Sequence, residues 1–181
     1  LYTAAIDRQP PVLPELTIQY TDFAHWQRQL LTGELRERQM QYWQQQLSGL
    51  PPQLELLTDR PRPTVQTFAG EQVVFFGDRS LDEALTKLSQ EAGTTLFMTL
   101  LAAFQLLLYR YTNQTDIAVG SPIANRNRPE IENLIGFFVN TLVMRTDLSG
   151  QPTFRELLRR VQSVALGAYE HQDMPFELVV E

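Results

Sequence analysis

Few residues in this chain are suited to chemistry. His171 and Asp173, separated by Gln172, stand just past a helical pattern. In one reading the imidazole is a general acid or base oriented by the carboxylate. In the other, His171 ends a helix, meets its C-terminal dipole, and leads into a turn closed by Pro175. The second is the simpler reading. His25 lies beside Trp26 in an amphipathic stretch and reads as a packing or surface residue. Asn125-Arg126-Asn127-Arg128 follows an apolar run. Its amides and guanidinium groups could bind a polar or anionic ligand at the carboxyl end of a strand. Equally, the asparagines could bond their own backbone in a solvated turn. In Ile135-Gly136-Phe137-Phe138-Val139-Asn140-Thr141, the glycine admits unusual backbone angles and the phenylalanines suit packing. Asn140 falls within apolar surroundings, where a carboxamide must find partners. It is a candidate for lining a polar tunnel.

Other chemistries fail on residue type. Gly120-Ser121-Pro122 has neither the glycine spacing nor the lysine of a phosphate loop. Pro122 and Ile123 also replace what a nucleophile elbow needs after Ser121. No cysteine is present, which removes disulfides, thiolate metal sites and cysteine nucleophiles. No helix carries paired histidines for zinc, so no metal site is expected. The 15 basic and 21 acidic residues give a net charge of −6, which argues against a nucleic-acid partner. The apolar run Leu96 to Leu108 is shorter than the ~20 residues that cross a bilayer. No secretory or transit signal is read at the start, so a cytoplasmic protein is expected. The acceptor pattern Asn113-Gln114-Thr115 is accordingly expected to be unused.

The elements that must position these residues follow from periodicity. Leu1 to Leu16, with Pro10, Pro11 and Pro14, reads as a linker. Asp22 is predicted to cap a helix carrying Phe23, Trp26, Leu30 and Leu31 on one side. Gly33 interrupts it, and a second helix runs from about Glu34 to Leu47. Leu35, Tyr42, Trp43 and Leu47 pack, and its Arg, Glu and Gln face suits water. The proline-rich stretch Gly49 to Thr64 is the best boundary. Residues 1–67 are therefore expected to be linker and connector helices, and residues 68–181 the body.

In the body, Glu71 to Phe76 reads as a strand. Ser80 and Glu83 form a capping-box pair before a helix to Ala92, and Gly93 ends it. Thr94 or Thr95 caps Leu96 to Tyr111, which is apolar almost all round and is expected to be buried. Asp116 to Ile123 and Phe138 to Arg145 are strands, with a helical turn at Glu130 to Leu134 between them. Thr153 and Glu156 open a helix to about Tyr169, and Pro175 bars further helix. The fold class is α/β, in the form of an α+β sandwich: a thin mixed sheet covered by long helices. Three strands offer those helices little to pack on, which suggests part of a larger domain without a complete catalytic site.

Taken in order, these segments resemble the condensation domains of non-ribosomal peptide synthetases. Tyr20-Thr21-Asp22-Phe23-Ala24-His25-Trp26-Gln27 is similar to the family's Tyr-x-Asp-Tyr-Ala-Val-Trp-Gln. Ile135-Gly136-Phe137-Phe138-Val139-Asn140-Thr141, with Arg145 after it, is similar to Ile-Gly-Met-Phe-Val-Asn-Thr and a later Arg. His171-Gln172-Asp173-Met174-Pro175-Phe176-Glu177 is similar to His-Gln-Asp-Tyr-Pro-Phe-Glu. Gly120-Ser121-Pro122-Ile123-Ala124-Asn125-Arg126 also fits the family.

The resemblance implies the second of two chloramphenicol-acetyltransferase-like lobes, incomplete at its C-terminus, with a tunnel between the lobes. It implies amide formation between a carrier-bound aminoacyl or peptidyl thioester and a carrier-bound amine. No cofactor is bound directly; phosphopantetheine arrives on donor and acceptor peptidyl carrier proteins. A missing N-terminal lobe and an adjacent adenylation domain are the other implied partners, and no membrane is. The family's His-His-x-x-x-Asp-Gly belongs to the first lobe, and neither it nor the final Arg-Asp-x-Ser-Arg-Asn occurs here. No catalytic residue is therefore assigned, and the isolated chain is expected to be inactive. By resemblance, Ser121, Asn125 and Asn140 lie near the tunnel, and Phe137 and Phe138 near its floor or a carrier surface. Asp22, Trp26, Arg145, His171 and Asp173 are structural. Two alternatives stand beside this: an epimerization domain of the same superfamily, and a non-catalytic module that docks carrier proteins.

Overall fold

Helix α1 (Tyr20–Leu30) and helix α2 (Gly33–Leu47) are separated by a sharp break. Gly33 has φ +55°, a left-handed angle that costs a residue with a side chain more than it costs glycine. The computed structural model describes residues 6–10, 15–61, 63–65, 67–74 and 76–180. Parts of the predicted linker, residues 1–5 and 11–14, lie outside them, as does Phe75. The cap of α1 is Gln19, not Asp22. Asp22 is the third helical residue, and its Oδ2 accepts from the Gln19 N–H at 2.8 Å. A carboxylate at that position satisfies the cap from inside the helix.

Helix α3 (Arg79–Glu91) likewise starts earlier than the sequence predicts. Asp78 is its cap, accepting from the Leu81 N–H at 2.8 Å. Ser80 donates to Asp78 at 2.8 Å and Glu83 pairs with Arg79, so no Ser80–Glu83 capping box forms. An Asp outcompetes a Ser two residues on because it is a charged acceptor beside the helix N-terminus. Gly93, at φ +67°, ends the turn after α3. Thr95 then caps helix α4 (Leu96–Thr112) by accepting from the Met98 N–H at 3.2 Å.

Strand β1 (Asp116–Ile123) pairs antiparallel with strand β2 (Asn140–Asp147), in register from Asp116 opposite Asp147 to Ile123 opposite Asn140. The short helix α5 (Pro129–Glu132) lies between them. Helix α6 (Phe154–Glu170) follows, capped by Thr153, and the short helix α7 (Phe176–Val180) closes the described chain. Pro175 therefore does not bar helix. It stands immediately before α7, where its missing N–H is no loss, and its carbonyl accepts from Leu178 at 3.1 Å.

Among the described residues the sheet has two antiparallel strands, not the thin mixed sheet of three that the sequence predicts. Residues 71–74 and 76 form no strand. Val73, Val74 and Phe76 are 84%, 62% and 93% exposed. A strand persists by pairing and by burying one face, and here β1 and β2 pair only with each other. The third predicted strand also starts two residues later than expected, at Asn140.

The core forms where the buried side of β2, with Leu142 and Met144, meets α4 and α6. Leu101, Ala102 and Leu108 come from α4, and Leu157, Leu158, Val161 and Ala165 from α6. Trp43 of α2, 2% exposed, joins the same cluster. Helix α4 is not buried all round. Phe97, Leu100, Phe104 and Leu107 are 39–50% exposed on its other face. A helix with apolar residues on every side carries no signal for which face the core takes. Among the described residues no single helix is long and apolar enough to cross a membrane.

Arg145 ties the sheet to α2. Its Nε and Nη2 donate to Asp116 at 2.8 and 2.7 Å, and its Nη1 donates to the carbonyls of Gln46 and Ser48 at 2.8 Å each. The Asp116 hydrogen bonds hold the guanidinium above its ordinary pKa. Arg145→Lys keeps the charge but loses the planar fork. It is expected to cost about 1–2 kcal/mol, because the pair retains some solvent contact. Urea unfolding checks this, and an unchanged midpoint contradicts it.

A second prediction concerns acid. The Ser149 N–H, and then its hydroxyl, lower the pKa of the Asp147 carboxyl. A depressed carboxyl contributes stability above its unfolded value, and that contribution is lost as pH falls through the folded value. Asp147→Asn is therefore expected to flatten the loss of stability below about pH 4. Parallel acid-unfolding curves for the two proteins would contradict this.

Candidate functional site

The sequence elements singled out for chemistry are far apart in the chain and meet in the fold. Phe138 is 3% exposed and forms a small second core with Phe23, Ile131 and Leu134. The Phe23 and Phe138 rings lie 4.7 Å apart, and Tyr20 meets Phe138 edge-on at 5.2 Å. The Tyr20 hydroxyl donates to the Phe137 carbonyl at 2.9 Å. Gly136 makes this possible, because a Cβ there would overlap the base of the Tyr20 ring. Phe137 itself is 72% exposed.

The polar loop after β1 closes over this aromatic cluster. Arg126 lies over the Phe138 ring at 4.2 Å and donates to the carbonyls of Ile131 and Glu132. Arg128 lies over the Trp26 ring at 4.2 Å. Such cation–π contacts hold the loop without neutralising it. Asn125 adopts φ +51°, a left-handed angle that asparagine tolerates better than most residues. A cleft of about 250 Å³ opens beside Trp26, with Ile18, Asp22, Phe23, Arg128 and Glu130 among its lining residues. A much smaller adjoining recess brings Trp26 and Asn125 together with Asp173.

Asn140 does not turn its carboxamide toward open space. It is 7% exposed and fully engaged. Its Nδ2 donates to the carbonyls of Gln172 and Met174 at 2.9 and 2.8 Å. Its Oδ1 accepts from the N–H groups of Thr141 and Phe176 at 2.9 and 3.0 Å. One side chain on β2 thus fixes both limbs of the turn that carries Asp173. The partners required of a buried Asn are backbone groups of a distant segment. Periodicity within β2 gives no hint of them.

The other end of that turn is held by α2. The Trp43 indole N–H donates to the His171 carbonyl at 3.0 Å, and the Gln39 amide donates to the Glu170 carbonyl at 3.4 Å. The His171 ring stacks flat on Tyr42, with centroids 4.0 Å apart and an interplanar angle of 6°. Its Nδ1 contacts the Gly167 carbonyl at 2.8 Å, which makes Nδ1 the protonated nitrogen. His171 and Asp173 do not form an oriented acid–base pair, because the imidazole is committed to Gly167 and Tyr42. Burial, and then the Glu170 charge, raises the Tyr42 pKa. Sequence reasoning assigns the glutamine face of α2 to water, yet Gln39 is buried. Its partner is a helix-end carbonyl, and no sequence period marks that.

The remaining residues stand apart. Ser121 is half-buried on β1 opposite Leu142 and lines neither the cleft nor the recess. His25 is exposed and contacts Gln29 at 2.9 Å. Among the described residues no cluster of three or more His, Asp or Glu side chains could hold a metal ion.

The family model described as Condensation domain matches residues 1–181. The chain belongs to the condensation domain family. Among curated relatives, a linear gramicidin synthase of Brevibacillus parabrevis is 59% identical over 181 residues. Malpinin synthetase of Mortierella alpina is 51% identical over the same length. The whole chain is covered in both, but it spans only 4% and 2% of those relatives. The relatives include non-ribosomal peptide synthetases, so this is a condensation domain sequence of that type. Among solved structures, the X-domain from teicoplanin biosynthesis superposes with a TM-score of 0.89 at 30% identity. That match covers 98% of this chain and 41% of that one. The first condensation domain of the CDA synthetase matches with a TM-score of 0.72 at 19% identity, over 97% of this chain and 38% of that one. It shows the fold alone, which is the chloramphenicol-acetyltransferase-like fold that the sequence implies.

Proposed function

We propose that this chain acts within a longer synthetase as part of the amide-forming condensation domain. The acceptor is a carrier-bound amine and the donor a carrier-bound aminoacyl or peptidyl thioester. The amine attacks the thioester carbonyl, a C–N bond forms and the C–S bond breaks. The donor phosphopantetheine leaves as a thiol, which takes up the proton the amine loses. No residue of this chain is assigned as acid or base; that role falls to the partner lobe. Residues 1–67 act as connector and residues 68–181 as the body of the second lobe. Ser121 and Asn125 face the tunnel, and exposed Phe137 suits a floor or carrier contact. Asn140 contributes by fixing the turn behind it, with Phe138 as the packed base of the floor. Donor and acceptor carriers, the first lobe and an adenylation domain are the working partners, in the cytoplasm.

The observation that carries this reading is the convergence of residues 20–27, 125–128, 136–140 and 171–177 on one aromatic and hydrogen-bonded locus. A docking role has one observation in its favour. An X-domain matching with a TM-score of 0.90 was solved in complex with OxyB. The test is product analysis with the intact synthetase and both carriers loaded. An amide on the acceptor carrier is expected. An inverted donor centre without an amide would point to epimerization, and unchanged substrates to docking.

A further inference from the structure

We propose that α2 is a positioning element for the turn at residues 171–176, with Tyr42 and Trp43 as its positioning residues; this rests on the amide-forming reading above. The last carbonyls of a helix have no partner within it. At the end of α6 the carbonyls of Gly167, Ala168 and Tyr169 are met locally by His171 and Gln172, and the last two, of Glu170 and His171, are met by another helix. Gln39 and Trp43, four residues apart and so on one face of α2, donate to the carbonyls of Glu170 and His171. Tyr42 adds a flat ring against His171. The fit is close: a Cβ on Gly167 would come within 2.8 Å of the Tyr42 hydroxyl.

The turn that follows is then fixed on both limbs by Asn140, through the carbonyls of Gln172 and Met174 and the N–H of Phe176. Asp173 lies between those two carbonyls. The α2 anchor is itself braced, because Arg145 of β2 holds the carbonyls of Gln46 and Ser48 at the C-terminal end of α2. Strand β2 therefore reaches the turn twice, once directly through Asn140 and once through Arg145, α2 and the end of α6. No residue of α2 lines the recess shared by Trp26, Asn125 and Asp173. Its influence on that recess passes through the turn. Displacing a turn by about an ångström at a reacting site lowers rate more than it lowers affinity.

The test uses the intact synthetase with Tyr42→Leu, Tyr42→Phe and Trp43→Phe. Tyr42→Leu is expected to lower the amide-forming rate at saturating acceptor carrier by about tenfold, with the acceptor KM within about twofold. Tyr42→Phe keeps the stacked ring and is expected to retain most of the rate. Trp43→Phe keeps packing but removes the N–H, and is expected to fall between them. Peptide-level hydrogen exchange is expected to quicken over residues 171–176 in Tyr42→Leu and Trp43→Phe while staying protected over α4 and the sheet. Unchanged exchange over that turn, loss of protection throughout the domain, or an unchanged rate per folded molecule would each overturn the proposal. A native synthetase that forms no amide would overturn the functional reading alone, and the exchange comparison would still decide the role of α2.

Discussion

Replacing Asn140 by Ala is expected to destabilise the protein by roughly 3–5 kcal/mol, among the largest effects of any single substitution here. The side chain makes four hydrogen bonds to backbone groups and is nearly buried. Removing it strands two carbonyls and two N–H groups, each costing about 1–3 kcal/mol where water cannot reach. The sum is held below that total because an opened turn lets some of them rehydrate. Asn140→Asp separates charge from shape. Its second oxygen would face the carbonyls of Gln172 and Met174, at the place where the amide now donates. The buried carboxylate is disfavoured there, so its folded pKa rises above the unfolded value. A raised carboxyl binds more protons when folded, so this variant should regain stability as pH falls from 7 toward about 5. Urea unfolding across that range checks both statements. Equal midpoints for Asn140→Ala and the native protein would contradict the first. A pH-independent deficit in Asn140→Asp would contradict the second.

The second large effect is expected at Gly136. A Cβ built there overlaps the Tyr20 ring close to its attachment point, where no rotation of the ring tip relieves it. Gly136→Ala must therefore push Tyr20 off the Phe137 carbonyl and away from Phe138. Overpacking of this kind costs about 1–3 kcal/mol, and the lost hydrogen bond adds about 1 kcal/mol. The cause is tested with a double-mutant cycle. Tyr20→Ala removes the obstacle, so Gly136→Ala should cost little more in that background. Strictly additive losses would show that the two residues act independently.

Much of this architecture is legible in the sequence, and the gaps have physical causes. Helices α2, α4 and α6 can be read to within a residue or two, because apolar spacing and Thr caps are local signals. Strand β1 is legible over its full length. The missed caps at Gln19 and Asp78 lie three and two residues before the predicted ones, outside the periodic stretch, where two polar candidates compete. The segment 71–76 has the composition of a strand, but composition does not supply a neighbour to pair with. The exposed face of α4 escapes for the same reason that the helix is found: every side is apolar, so no side is marked. At the candidate site, the motifs locate Tyr20, Phe138, Asn140 and His171, but not what they do. Asn140 reads as a candidate for lining a polar tunnel, and its carboxamide binds the backbone of residues 172–176. Tyr42, Gln39 and Gly167 lie outside the motifs, and only the stacking geometry gives them a role.

The central claim is that this chain helps build a shared amide-forming site whose acid–base chemistry comes from a partner lobe. The most direct measurement compares the 181-residue chain with the intact synthetase that carries it, each given the same two loaded carriers. Mass spectrometry of the acceptor carrier reads the product. The account predicts an amide only with the intact synthetase; amide formation by the chain alone would contradict it.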